Sequence, residues 1–245
     1  MLERSTEAFR FFEQNYWNYY RELEDDFLSL RRYVSISSIN FQTFSVEILK
    51  LYQAVCSEID VIGKALAKEV NPEYLPNDNK NNILKWWYTI QDSLLITERD
   101  IITGTVEEKR LSDYKCILLD NLRLTPWNHF HVDQYLSRNN RICHRLSEGC
   151  STPTWWSDYN KVKHSRTSFS GESNEESNYC KANLGNLCSA FAALYILETA
   201  YMNNVGTRND LEAFYDYSIL FVKRRMTTTD EIQAMFDQDI ELSTV

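Results

Sequence analysis

Apolar residues recur at intervals of three and four along several stretches of the chain, which is the spacing of one face of an α-helix. This pattern predicts a long first helix over residues 6–32 with an aromatic face, and a core helix over residues 46–68. Ser45 is suited to cap the start of the core helix. Asn71-Pro72 should end that helix, because the residue before a proline avoids the helical conformation.

Three further stretches continue the helical pattern. Residues 83–92 predict a short helix that packs on the first pair, and residues 181–202 predict a second strongly apolar helix. Residues 132–147 also resemble a helix, because basic residues three and four positions apart would share one face. These basic residues are Arg138, Arg141 and Arg145.

The remaining segments give weaker patterns. Residues 94–125 predict mixed short elements, and residues 217–222 predict a short strand. We therefore expect an all-α fold class, a helical bundle with long antiparallel helices and at most a short strand near the C-terminus. The chain should form a single domain over residues 1–245. Its parts would be an N-terminal helix, a core and a C-terminal appendage, over residues 6–32, 44–205 and 206–245.

Composition narrows the function classes. The 245 residues include six glycines and four prolines, and the glycines are all isolated, which excludes the glycine-rich phosphate loops and the nucleophile elbow of many enzymes. The six cysteines form no C-x-x-C pair and do not indicate a secreted disulfide framework. With no apolar leader and no long apolar run, we expect a cytoplasmic protein with no signal peptide and no membrane contact.

Charge is distributed unevenly along the chain. The net charge is −9, yet residues 138–166 hold six Lys or Arg and two acidic residues, a local charge of +4 that leaves −13 for the rest. A basic island in an acidic protein indicates a local site for anions.

The segment WWSDYNKVKHSR over residues 155–166 carries the most reactive chemistry in this island. His164 lies among the cations Lys161, Lys163 and Arg166, with Asn160 four residues before it. An imidazole transfers protons near neutral pH, and the cations would hold a phosphate. The alternative is a solvated basic loop that the paired tryptophans anchor to the core.

The order of motifs resembles the HEPN superfamily of all-α domains. The resemblance covers about residues 44–200 and depends on Cys-Ser-Glu-Ile-Asp at residues 56–60, on the segment above, on the polar loop after it and on the apolar helix over residues 182–197. It implies a dimeric, RNA-directed protein, in many relatives a metal-independent endoribonuclease of a toxin–antitoxin or phage-defence system. Their motif is an Arg, then a polar residue, then a His four to six residues beyond the Arg.

The resemblance assigns roles to individual residues. His164 would be the general acid and base, Asn160 would position the phosphate, and Arg166 or Lys163 would hold it. Tyr159 stands where the motif has its arginine. Two alternatives follow: Arg166 supplies the missing cation, or the domain is a non-catalytic helical module that binds a nucleotide or a partner protein.

Two other histidine patterns compete with this assignment. Arg138-Asn139 followed by His144 fits the HEPN spacing literally, and its arginines would bind phosphate in either case. His129-Phe-His131-Val-Asp133 resembles metal-hydrolase ligands, but no further histidine follows it, so surface or core histidines are the default. We expect no metal and no cofactor.

The expected partners follow from the family. RNA is the first, and an antitoxin or a nucleotidyltransferase-type protein is the second. A homodimer is also expected, both from the resemblance and because a row of small residues on the helix over residues 181–202 would allow a second helix to approach closely. The alternative is that the row packs against another helix of the same chain. The row consists of Ala182, Gly185, Ser189 and Ala193.

Overall fold

The computed structural model describes residues 2–76, 82–99, 106–119, 122–169, 177–208, 218 and 220–221. Six α-helices lie within these residues, and the first two are joined without a break by a π-helical turn, Glu13–Trp17. The helices are α1 (Leu2–Phe12), α2 (Asn18–Leu30), α3 (Val46–Val70), α4 (Ile83–Ile90), α5 (Thr154–Ser165) and α6 (Leu184–Arg208). Short 3₁₀ turns occupy Ser38–Asn40, Leu111–Asp113 and Asn178–Lys181.

Helix α3 begins at the predicted residue and ends two residues beyond the predicted end, whereas the helix predicted over residues 181–202 runs over Leu184–Arg208. The Ser45 hydroxyl accepts a hydrogen bond from the Ile48 backbone N–H at 3.2 Å and caps α3, which ends before Asn71. In the same way, the Asn82 side chain accepts from the Lys85 backbone N–H at 3.2 Å at the start of α4. Such caps satisfy backbone donors that have no partner inside the helix.

Helices α3 and α6 form the centre of the core and start side by side. Leu184 donates its backbone N–H to the Thr43 carbonyl at 2.8 Å, and Gly185 donates to the Phe41 carbonyl at 3.0 Å. The first helical stretch runs in the opposite direction across α6. Its Phe12 ring stacks on Tyr201 at 5.2 Å, at the far end of α6 from these backbone contacts.

The expectation of an all-α fold is wrong, because the described residues also form three two-stranded antiparallel sheets. Strands β1 (Leu95–Arg99) and β2 (Val106–Arg110) form the first sheet, β3 (Cys116–Leu118) and β4 (Leu122–Leu124) the second, and β5 (Val132–Leu136) and β6 (Ile142–Leu146) the third. The fold is therefore mixed: a helical core with short hairpins packed beside it.

The helix predicted over residues 132–147 is the β5–β6 hairpin. The turn between the strands is closed by a hydrogen bond from the Ser137 N–H to the Arg141 carbonyl at 2.8 Å, and Asn140 takes a positive φ of 53°. Asparagine tolerates this left-handed conformation better than most residues, so Asn139-Asn140 is a turn signal. The arginine spacing that suggested one helical face instead places the arginines along a hairpin.

The C-terminal appendage falls mostly outside the described residues. The predicted strand over residues 217–222 is described only at Ser218, Leu220 and Phe221, where Phe221 forms an isolated antiparallel bridge with Leu118. The polar loop of the HEPN resemblance also lies largely outside them. None of the described helices combines the length and the apolar character that crossing a membrane requires.

Candidate functional site

Helix α5 carries the segment that the sequence singled out, and it is a regular helix rather than a loop. It begins directly after Pro153, and both of its tryptophans are buried. The Trp155 indole N–H donates to the Pro126 carbonyl at 3.0 Å, and its ring meets Trp127 edge to face at 5.1 Å. The tryptophans therefore anchor α5 to the core, as the sequence predicted, and fix the direction of its polar residues.

A cavity of about 480 Å³ lies beside α5, and we call it the α5 cavity. It is bounded by α3, by the first residues of α4, by α5 and by the loop that precedes α5. Its lining residues are Ser57, Asp60, Asn82, Ile83, Leu84, Thr152, Trp156, Ser157, Tyr159, Asn160 and Lys163. This volume lies in the range of small-molecule sites, roughly 300–1,000 Å³.

The α5 cavity is lined by one acidic residue and one basic residue, and only the acidic residue has a partner of opposite charge among the described residues. Asp60 is paired with Lys64 at 2.5 Å and accepts the indole N–H of Trp86 at 3.2 Å. Lys163 has no acidic partner among the described residues, and its ammonium lies 5.5 Å from the centre of the Tyr159 ring. Since the carboxylate is neutralised and the ammonium is not, the cavity favours an anion.

The other residues predicted on α5 divide into two groups. Lys161 pairs with the buried Asp158 at 3.0 Å, which lowers its value as a phosphate ligand. The Asn160 amide lines the cavity and donates to the Trp156 carbonyl at 3.1 Å, which leaves its oxygen free to accept. His164 and Arg166 are exposed at the end of the helix, outside the cavity lining.

His164 is not oriented by a neighbouring group. Within the described part of the chain, the side chains of His164 and Arg166 form no hydrogen bond and no ion pair. A catalytic imidazole is usually held by a third group that fixes its orientation. The geometry of α5 therefore provides cations for phosphate more clearly than it provides a positioned base.

Tyr159, at the position of the motif arginine, is a core residue. Its ring meets Tyr52 edge to face at 6.1 Å, and Tyr52 donates its hydroxyl to the Trp155 carbonyl. Burial raises the pKa of Tyr159 to about 12, with the nearby Cys56 and Asp60 adding to the shift. This side chain is neutral at physiological pH and does not replace the charge of an arginine.

The second motif does not assemble into one site. Arg138 is exposed in the turn region of the hairpin, whereas the His144 ring packs on Tyr88 of α4 at 4.9 Å. Burial, and then the charge of Lys85, lowers the pKa of His144. Arg141 and Arg145 remain exposed, but on the hairpin and not on a helical face.

The third histidine pattern forms a hydrogen-bonded group at the base of this hairpin. His131 Nδ1 lies 2.8 Å from the Ser147 hydroxyl, which donates to Asp133 at 2.8 Å. His131 Nε2 lies 3.6 Å from Asp92 on the other side. Among the described residues, no group of three or more His, Cys, Asp or Glu side chains is arranged to hold a metal ion.

The small-residue row on α6 packs inside the chain. A Cβ added at Gly185 would lie 3.0 Å from the Cβ of Phe41, and Ala182 and Ala193 are fully buried. Gly185 therefore explains the close approach of the segment before α3, and the two alanines are not accessible to a second subunit. The homodimer therefore stays a prediction, and the small-residue row no longer supports it.

Sequence reasoning missed part of the cavity. Asn82 lies far from α5 in the sequence and Thr152 lies in the loop just before it, and no pattern connected either residue with Lys163. Ser57 and Asp60 belong to the segment that carried the resemblance, and the fold does place them across the cavity from α5.

Comparison with known proteins gives no assignment: no family model, no curated protein and no solved structure matches this chain.

Proposed function

We propose that this chain binds RNA through the α5 cavity, with Lys163 as the main phosphate contact. The observation that carries the proposal is the Lys163 ammonium, which has no acidic partner among the described residues and lines a polar cavity of about 480 Å³. Hydroxyl and amide groups of Ser57, Asn82 and Asn160 share this lining. Such groups supply the hydrogen bonds that fix a sugar or a base.

The exposed end of α5 extends the same site. His164 follows Lys163 directly and Arg166 lies three residues beyond Lys163, and neither side chain has an acidic partner within the described residues. A strand whose phosphate reaches Lys163 would find further positive charge at Arg166. We therefore favour an RNA-directed protein that binds without cleaving, rather than the endoribonuclease or the module for a nucleotide or a partner protein.

The test is to titrate the protein into labelled single-stranded RNA, about 16 nucleotides long. Fluorescence anisotropy of the RNA measures binding at several salt concentrations. Lys163→Ala should weaken binding and reduce the slope of log affinity against log salt by about 1, because one phosphate contact is lost. The control is Lys50→Ala, an exposed lysine paired with Glu47 on α3, which should leave both quantities unchanged. Equal affinity and slope in wild type and Lys163→Ala would refute the proposal.

A metal-independent endoribonuclease is the second candidate. It is favoured by the placement of His164 one turn after Asn160 on α5, since positions four apart share a face. If the purified protein cleaves RNA, His164→Ala should lower the rate by roughly 10²–10⁴-fold, and a chelator should have no effect. His144→Ala and His129→Ala should leave most of the rate. If the protein binds RNA and the RNA stays intact after incubation, the endoribonuclease is refuted and only the binding function remains.

A further inference from the structure

The β5–β6 hairpin, residues 132–146, has a base that packs on the core and a tip that does not; we call it the β5–β6 arm. At the base, Val132 is buried and the His144 ring lies against Tyr88 of α4. At the tip, Leu136 and Ile142 face each other across the two strands and are 67% and 62% exposed. An apolar pair left in water at the end of an arm indicates a contact surface.

The opposite face of the arm carries an aromatic platform. Alternate residues of a strand point to opposite faces, so Tyr135 lies on the other side from Leu136. The Arg145 guanidinium lies 5.4 Å from the centre of the Tyr135 ring, and this ring is 40% exposed. A planar guanidinium beside an accessible aromatic ring is a surface on which an unpaired base stacks.

The charge at the tip selects an anionic occupant. Arg138 and Arg141 flank the turn, are exposed, and have no acidic partner in the described part of the chain. The acidic residue of β5, Asp133, accepts the Ser147 hydroxyl and lies opposite Arg145 in the strand register, nearer the base of the arm than Arg138 and Arg141. The tip therefore combines uncompensated positive charge with apolar and aromatic surface.

We propose that the β5–β6 arm binds single-stranded RNA at its tip, with phosphates on Arg138 and Arg141 and an unpaired base on the Tyr135–Arg145 platform. The Leu136–Ile142 pair contacts the apolar edge of the strand as it crosses the tip. This inference rests on the proposed function, because both surfaces serve one RNA. The α4 helix lies between them, with Asn82 to Leu84 at the cavity and Tyr88 at the arm.

Single-stranded RNA is favoured over a duplex because the platform needs a base face. Paired bases are stacked inside a helix, whereas unpaired bases are free to stack on a side chain. The platform is also insensitive to base identity, since every base has an aromatic face.

The experiment compares Tyr135→Ala with wild type on three probes of about 16 nucleotides: single-stranded RNA, the same sequence as a duplex, and an abasic strand. Loss of stacking should weaken binding of the single strand by roughly tenfold, and leave the abasic strand unchanged. Tyr135→Phe keeps the ring and should bind as wild type. The matched control is Tyr19→Ala, a tyrosine of similar exposure (44%) on α2, which should have no effect.

The outcomes separate this inference from the proposed function. If Lys163→Ala weakens every probe and Tyr135→Ala weakens none, the cavity binds RNA and the arm inference is wrong. If Tyr135→Ala weakens the abasic strand equally, stacking is not its role and the inference is also wrong. Binding of phosphatidylserine vesicles that requires Leu136 and Ile142, without binding of RNA, would overturn both.

Discussion

Two buried carboxylates without partners lie in the helical core. Glu198 of α6 is fully buried, and neither of its oxygens has a hydrogen-bond partner among the described residues. Glu58 of α3 is nearly buried and has one such oxygen. Burial raises the pKa of Glu58 to about 7, and burial together with the charge of Glu58 raises the pKa of Glu198 well above its usual range. The folded protein therefore favours the protonated carboxyls.

This pair predicts the pH dependence of stability. The Glu58 pKa is higher in the folded chain than in the unfolded chain, so the folded state binds more protons between about pH 4.5 and pH 7. The free energy of unfolding should fall as pH rises through this window. Glu58→Gln should remove part of the fall and raise stability at about pH 8 by about 1–3 kcal/mol relative to wild type.

Urea denaturation at about pH 5 and pH 8 measures both effects. The control is Glu22→Gln, an exposed position on α2, which should keep the pH dependence of wild type. A Glu58→Gln protein less stable than wild type at the higher pH would contradict the burial argument.

The sequence predicts the burial of these two glutamates only in part. Glu58 stands three residues after Val55 and four before Ile62, so it borders the apolar face of α3. Whether a glutamate at such a border reaches water depends on the helix that covers it. Here Tyr16 of the π-helical turn and Tyr19 of α2 both lie close enough for the charge of Glu58 to raise their pKa further, after burial.

At the scale of elements, the π-helical turn decides which aromatic residues face the core. A regular helical spacing of four from Phe12 would place Tyr16 on the inward face, yet the structure buries Trp17 more fully. Buried positions therefore jump by five, from Phe12 to Trp17, before returning to a spacing of three at Tyr20. A π-turn holds one extra residue, and this residue rotates α1 relative to α2.

Deleting the extra residue should convert the turn to a regular helix. Removal of Asn15, which is exposed, would place Phe12 and Trp17 four positions apart, so both would still face α6. Removal of Glu22, equally exposed but inside the regular helix α2, should rotate every earlier residue by about 100°. We expect the Asn15 deletion to fold with a single cooperative transition and the Glu22 deletion to lose several kcal/mol. Thermal denaturation followed by circular dichroism compares the two, and equal loss in both would contradict this account.

Helical periodicity identified α3, α4 and α6 because each has a continuous apolar face. Helical periodicity did not predict the β5–β6 arm, because its arginines at 138, 141 and 145 fit a helical spacing by coincidence. The evidence for the hairpin was the Asn139-Asn140 turn, because residues 132–136 show no alternation of apolar and polar positions. In a short arm that buries few side chains, the turn carries more information than the periodicity.

The sequence did not predict the α5 cavity, and the reason is a different one. The helical pattern and the basic residues of α5 were visible in the sequence, and Lys163 and Asn160 were correctly assigned to one segment that lines the cavity. The other walls come from α3, α4 and the loop before α5, which are brought together by the packing of Trp86 and Trp155 in the core. Such contacts join distant segments, and local spacing does not encode them.

For the whole molecule, the cysteines report whether the helical core and the hairpins unfold together. Cys56 in α3, Cys116 in β3 and Cys188 in α6 are buried, whereas Cys143, Cys150 and Cys180 are half-buried, and all six are free thiols. Burial raises the pKa of the Cys188 thiol to about 12 and that of Cys56 well above its usual range. Since the thiolate is the reactive form, these thiols are protected both by burial and by protonation.

Labelling of the native protein with a thiol reagent should therefore proceed in two phases of three thiols each. The buried set should react slower by a factor on the order of 10³ or more, because it needs an opening comparable to global unfolding. A variant with Cys143, Cys150 and Cys180 all changed to serine should lose the fast phase and keep the slow one. In urea, the three buried thiols should become reactive at one midpoint, because the Cys116 thiol donates to the Ala192 carbonyl of α6 and so links a hairpin to the central helix. Reaction of Cys116 at a lower urea concentration than Cys56 and Cys188 would show that the β3–β4 sheet opens while the helices stay folded, and would refute a single cooperative core.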